Sequence, residues 1–268
     1  MMLESISTGS LSMLLQETDN EIQAAEQQNK NIVLCMKWGT KYGSEYVNRL
    51  YNMVKRHTTV DFKMVCLTDR TDGITPEVEC FPIPPLALPD GAPERGWNKL
   101  STFEPDLYGL QGNALFLDLD VVIIDNMDDF FTHPGEFLVI HDWKRPWRIT
   151  GNSSVYRFKL GAFPGLMPYF RENFDEIRQK FRNEQAYLSW YDDQEKKLQY
   201  WPDSWCKSYK YHCLQKIPMA YFKAPVKPKD AKIIIFHGEI NPPDAVNGGG
   251  GKWYRYVLPS QWIKDAWQ

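Results

Sequence analysis

The chain has 268 residues, 43% hydrophobic and 24% charged, the proportions of a globular protein with room for one large α/β core or two small ones. Its 31 basic and 34 acidic residues leave a net charge of −3, which gives no general attraction to nucleic acid, so no nucleic-acid partner is expected. Five cysteines without a C-x-x-C spacing suggest neither a disulfide framework nor a zinc site, and a reducing cytoplasm fits them best.

The opening, Met1–Ser10, lacks the basic start and apolar stretch of a signal peptide. Residues 12–30 carry Glu, Gln and Ala with few apolar positions, so residues 1–30 read as a polar helical extension before a core domain over 31–268. Asn31–Lys37 reads as a first strand, followed by a turn-rich loop, Trp38–Gly43. From Ser44, the expected N-cap, Tyr46, Val47, Leu50, Tyr51 and Val54 have helical spacing. Phe62–Thr68 reads as a second strand; Cys35 and Cys66 lie within these runs as small buried hydrophobes. Prolines at 82, 84, 85, 89 and 93 predict an irregular loop over 82–96. A helix over 97–108 with a break at Pro105 is expected next, then a strand over 113–124. Further strands are expected at 137–140, 152–158 and 233–236, and a helix over 167–182, whereas the aromatic stretch 187–211 has no clear period. No apolar run approaches the ~20 residues needed to cross a bilayer, so any membrane contact is expected to be peripheral. Strands alternating with helices point to an α/β sheet whose sites lie at strand C-termini.

The segment Asn113-Ala-Leu-Phe-Leu-Asp-Leu-Asp-Val-Val-Ile-Ile-Asp125 places two carboxylates, Asp118 and Asp120, at the end of an apolar run. In an extended chain, side chains at i and i+2 share a face; the other reading is a strand running into a turn with both acids solvated. Charges at the edge of a core are tolerated when paired or when they hold a metal, and Mg²⁺ or Mn²⁺ favours such oxygen ligands. A cation held this way is suited to clamping a diphosphate.

Four features in this order resemble a glycosyltransferase of the GT-A fold, more loosely the family 8 branch with glycogenin and bacterial galactosyltransferases. They are the first strand with its loop, Cys35–Tyr42; Lys99 ahead of the acids; the D-x-D of Asp118 and Asp120; and His237-Gly238 after a late strand. The resemblance implies a single domain with a mixed central sheet flanked by helices, and transfer of a hexosyl group from a nucleoside diphosphate sugar, UDP-linked, to a saccharide acceptor. It implies retention at the anomeric carbon. Asp118, Asp120 and His237 would hold Mn²⁺ or Mg²⁺, and Lys37, Thr40, Tyr42, Asp69 and Lys99 would line the nucleotide-sugar site. The family's usual H-x-x-G-x-x-K-P-W is absent, since the chain reads His237-Gly-Glu-Ile-Asn-Pro-Pro-Asp244; on the resemblance, Lys252, after four glycines, would be the substitute phosphate-binding lysine. Asn152-Ser-Ser-Val155 resembles the family's N-S-G-V segment and Asp193-Gln194 its D-Q pair, which makes Asn152, Asp193 and Gln194 candidates for contacts with the transferred sugar, with Asp192 adjacent. Leu115–Val122 also resembles the first motif of haloacid-dehalogenase-like phosphatases, with Asp118 as nucleophile; the ~110 residues before it and the lack of a later acidic pair after an apolar strand favour the transferase. Tryptophans 190, 201, 205, 253, 262 and 267 crowd the last third, as core packing or as platforms for an acceptor sugar.

Overall fold

The computed structural model describes residues 31–88, 95–249 and 256–268; the extension before residue 31 and Lys252 lie outside the described residues. The elements run β1 (Asn31–Lys37), α1 (Ser44–His57), β2 (Lys63–Thr68), β3 (Val78–Phe81), a 3₁₀ helix (Arg95–Phe103), β4 (Asn113–Leu117), β5 (Val121–Ile123), α2 (Asp128–Thr132), β6 (Phe137–His141) and β7 (Gly151–Lys159). They continue as α3 (Leu166–Glu172), α4 (Phe174–Lys180), α5 (Glu184–Gln194), β8 (Leu198–Tyr200), β9 (Cys206–Ser208), β10 (Ile233–Ile235), α6 (Pro242–Asn247) and α7 (Gln261–Ala266).

Seven strands form one mixed sheet in the order β3-β2-β1-β4-β7-β6-β8. The first four are mutually parallel, β7 is antiparallel to both β4 and β6, and β6 pairs with β8 in parallel. β5, β10 and β9 form a second sheet, with β10 antiparallel to β5 and parallel to β9. The large sheet is covered on both faces. Val33 and Cys35 join α1 and the small sheet in one apolar cluster, while Ile32, Leu34 and Met36 join the 3₁₀ helix and α3–α5 in the other. Alternating strand residues going to opposite cores explains why β1 reads as a continuous apolar run. Cys35, Cys66 and Cys80 stand side by side across β1, β2 and β3 as free thiols, and the contact with Cys66 together with burial raises the thiol pKa of Cys35.

Local readings shift at element ends. Gly43, not Ser44, is the N-cap of α1, without a side-chain cap. The expected helix over 97–108 is the 3₁₀ turn ending at Phe103. The helix expected over 167–182 is divided at Asn173, which ends α3 and caps α4. Most consequential, the run 113–124 is two strands in two sheets. The D-x-D is therefore a turn, in which the Val121 amide donates to the Asp118 carbonyl at 3.4 Å.

Candidate functional site

Strand order reverses direction in sequence at β1, which has β2 on one side and β4 on the other. In open α/β sheets such a switch point opens a crevice at the strand C-termini. The loop after β1 and the turn after β4 meet there, around a cavity of about 260 Å³ lined by Met36, Trp38, Lys41, Tyr42, Lys99, Asp118, Leu119 and Asp120.

The polar contacts in it are specific. Lys99 Nζ lies 2.6 Å from Asp118 Oδ1 and donates to the Ser153 carbonyl at 3.3 Å. The Tyr42 hydroxyl donates to Asp120 Oδ2 at 2.6 Å. The Asp118 amide donates to the Ser154 carbonyl at 2.9 Å, which ties the turn to the start of β7. Burial, then the charge of Asp118, pushes the Asp120 carboxyl up to about 6 against the opposing pull of Tyr42, Lys41 and Lys99. Burial and the Asp120 charge raise the Tyr42 phenol. Lys99 is raised although burial alone would lower it, because Asp118 and Glu184 favour its ammonium. A site in which two half-buried carboxylates compete, with a cation already on one, suits an added divalent ion.

The β1 loop is set by Asp69. Its Oδ2 accepts from the Gly39 amide at 2.9 Å and its Oδ1 lies 4.0 Å from Lys37 Nζ. Gly39 has φ +64°, a conformation that disfavours other residues. Lys37 is buried at the end of β1, and Thr40 is exposed outside the cavity lining. The ring of Tyr42 packs on Tyr46 at 4.7 Å with Lys41 over it at 4.5 Å, so Trp38 is the exposed aromatic that lines the cavity.

A second cavity, about 320 Å³, contains Asn152, Gln185, Trp143, Tyr211 and His237. The pairing of Ile235 with Val121 carries the residues after β10 toward the end of β5 that follows the two acids. The His237 ring, however, meets Ser208: Nε2 and Oγ are 2.7 Å apart, and Trp143 lies parallel at 6.0 Å. Among the described residues no group of three His, Cys, Asp or Glu side chains is placed to hold a metal. The residues therefore fit a cation held by Asp118 and Asp120 with oxygens of a bound diphosphate, an arrangement usual for Mg²⁺, without the imidazole as it stands.

Asp193 and Gln194 are exposed at the C-terminal end of α5 and line neither cavity. At the helix's other end, Asn183 caps the Ala186 amide, Glu184 accepts from Ser153 Oγ at 2.8 Å, and Gln185 Oε1 accepts from the Ser153 amide at 3.4 Å. Asn152 Oδ1 accepts from the Ser154 amide at 3.0 Å, which fixes its amide group at the cavity wall. The sequence signal for Gln185 was an Asn cap followed by Glu-Gln at a helix start, a position from which side chains face the strand that the helix packs on. Trp201 and Trp267 are buried, Trp190, Trp205 and Trp262 are partly buried, and Trp253 lies outside the described residues.

This is the GT-A fold, a mixed central sheet flanked by helices. The structure of galactosyltransferase LgtC in complex with donor and acceptor sugar analogues superposes with a TM-score of 0.53 at 9% identity, covering 79% of this chain and 88% of that one. An active-site glutamine-to-glutamate mutant of LgtC gives a TM-score of 0.54, again at 9% identity, over 79% of this chain and 89% of that one. No family model and no curated protein matches the sequence. The two acids follow β4, not the first strand of the chain.

Proposed function

We propose that the protein is a metal-dependent glycosyltransferase that moves a hexosyl group from a UDP-sugar to a saccharide acceptor with retention. The observation that carries this reading is the placement of Asp118 and Asp120 together at the switch point, one held by Lys99 and the other by Tyr42. Trp38 offers a face to the base, beside the loop that Asp69 fixes through the Gly39 amide. Asp118 and Asp120 would hold Mn²⁺ or Mg²⁺, whose positive charge would offset that of the departing diphosphate. Lys99, which lies against Asp118, would place its ammonium on a diphosphate or sugar oxygen. Asn152 and Gln185 face the transferred sugar, with amide groups suited to its hydroxyls. His237 joins the cation only if its ring leaves Ser208. With retention, no strong protein base is required, since the departing phosphate can accept the proton of the attacking hydroxyl.

The test is release of UDP from UDP-hexoses with and without Mn²⁺. Asp120→Asn is expected to lower turnover by about a hundredfold or more, with the circular dichroism spectrum unchanged. Wild-type turnover in that variant would end the metal-site reading. Steady hydrolysis of simple phosphomonoesters, lost in Asp118→Asn, would replace it with a phosphatase.

A further inference from the structure

The second cavity has an electrostatic character that the transfer reaction does not explain. Five cationic side chains line it, Lys144, Arg145, Arg148, Arg182 and Lys210, against the single carboxylate of Asp142. They come from three separate parts of the chain: the loop between β6 and β7, the turn before α5, and the segment after β9. The chain as a whole is acidic, at −3, so this concentration does not follow from composition. None of the five is within ion-pair distance of a carboxylate among the described residues; Lys144 and Lys210 lie over the Tyr211 ring at 5.3 and 5.6 Å. Like charges gathered without counter-ions repel one another, and an anion in their midst relieves that cost.

The cavity is distinct from the one holding the two acids, yet next to it in the structure. Its wall includes Asn152, whose neighbour Ser153 gives its carbonyl to Lys99. On the transferase reading, a reactant approaching from beyond the diphosphate would meet these cations. Beside them stand groups suited to a second sugar, the amide of Asn183 and the rings of Trp143 and Tyr211, while Asn152 and Gln185 form the wall shared with the transferred sugar. Planar guanidinium groups match carboxylate and phosphate oxygens in pairs.

We propose that this cavity receives the acceptor, and that the acceptor is an anionic saccharide, carrying carboxylate or phosphate groups read by Arg145, Arg148, Arg182 and their neighbours. The proposal rests on the transferase reading for the word acceptor, and on the cavity alone for the anionic saccharide.

The test is calorimetric binding to the full chain of trigalacturonate, glucose 6-phosphate, maltotriose and inorganic phosphate, each with UDP and Mn²⁺ present. At least one of the two charged sugars is expected to bind about tenfold or more tighter than maltotriose, and to weaken with added salt. Which of the two binds tighter identifies the anionic group. The double variant Arg148→Glu, Arg182→Glu alters two exposed side chains, and is expected to lose about tenfold or more for that sugar while UDP affinity stays within about twofold. Three results would overturn the proposal: maltotriose binding as tightly as the charged sugars, inorganic phosphate binding as tightly as glucose 6-phosphate with trigalacturonate inert, or the double variant losing UDP rather than the sugar. If UDP fails to bind the wild type while trigalacturonate binds and responds to the substitutions, the transferase reading falls and the anionic-saccharide site stands.

Discussion

Among the described residues, Asp192 is the one acid whose buried carboxylate oxygens find no hydrogen-bond partner. It is fully buried on α5, and burial raises its pKa well above the ordinary value. Lys197 pulls the other way, but only its backbone amide makes a bond there, to the Asp192 carbonyl. A carboxyl raised in the folded state binds its proton more tightly folded than unfolded. Its favourable contribution is complete below the unfolded pKa, about 4, and is lost as pH rises through the folded pKa. Asp192→Asn, which stays neutral, is therefore expected to narrow the loss of stability between pH 4 and pH 8; urea denaturation across that range measures it. A variant with the same pH slope as the wild type would mean that Asp192 is paired in solution. The residues at the two ends of the same helix make a second contrast. Gln185→Ala is expected to lower sugar transfer by about tenfold or more, whereas Gln194→Ala, at the exposed end, is expected to leave it near normal. The opposite ranking would return the sugar contact to Asp193-Gln194.

At the scale of elements, Asp128 fastens the end of α1 to the start of α2. Its carboxylate accepts from Thr58 Oγ1 at 2.6 Å, from the Thr59 amide at 2.8 Å and hydroxyl at 2.6 Å, and from Asn126 Nδ2 at 2.9 Å. Burial alone would raise this acid, but those donors hold it well below the usual carboxylate range. The linkage sign is the reverse of Asp192: stability is present above the unfolded pKa and disappears as pH falls through the folded one. Asp128→Ala is expected to cost about 1–2 kcal/mol at pH 7 after allowance for its partial exposure, with the difference shrinking in acid. Equal stability at pH 7 would show the knot to be dispensable.

Elements were legible where burial was two-sided. β1, β2 and β10 announce themselves as apolar runs because both faces meet a core. β3, Val-Glu-Cys-Phe, is an edge strand with its glutamate exposed, so it carries no such run. α5 escaped detection because Tyr187, Leu188, Trp190 and Tyr191 spread apolar surface around the helix and blur its period. The run 113–124 concealed its division because β4 and β5 are both apolar, and the turn between them is made by the two acids themselves. The same contrast governs the site. Carboxylates inside an apolar run stand out in a sequence, while the basic cavity is assembled from segments far apart and leaves only Trp143-Lys-Arg-Pro-Trp-Arg148 as a local trace.

In the molecule as a whole, the first cavity lies where the large and small sheets diverge: β4 belongs to one, β5 to the other, and Asp118 and Asp120 form the joint. A nucleotide held there ties the β1 loop, the joint and the edge of β7 together, so its binding free energy adds to the stability of the native state. With UDP at about a hundred times its Kd, that gain is about 2.7 kcal/mol. For a chain of this length, each kcal/mol moves Tm by about 2–4 °C, so UDP with Mn²⁺ is expected to raise Tm by about 5–10 °C. On the proposed metal-site reading the rise should shrink strongly when Mn²⁺ is chelated, because the diphosphate would then meet the carboxylates of Asp118 and Asp120 without a compensating cation. Tyr42→Phe frees Asp120 from its phenol hydrogen bond and should reduce the rise only partly, since the aromatic packing on Tyr46 remains. Thermal denaturation of wild type, Tyr42→Phe and Asp120→Asn, each with UDP alone and with UDP plus Mn²⁺, distinguishes these cases. A rise of equal size with and without the metal in all three proteins would place the nucleotide elsewhere, and would leave the joint between the sheets as a structural turn.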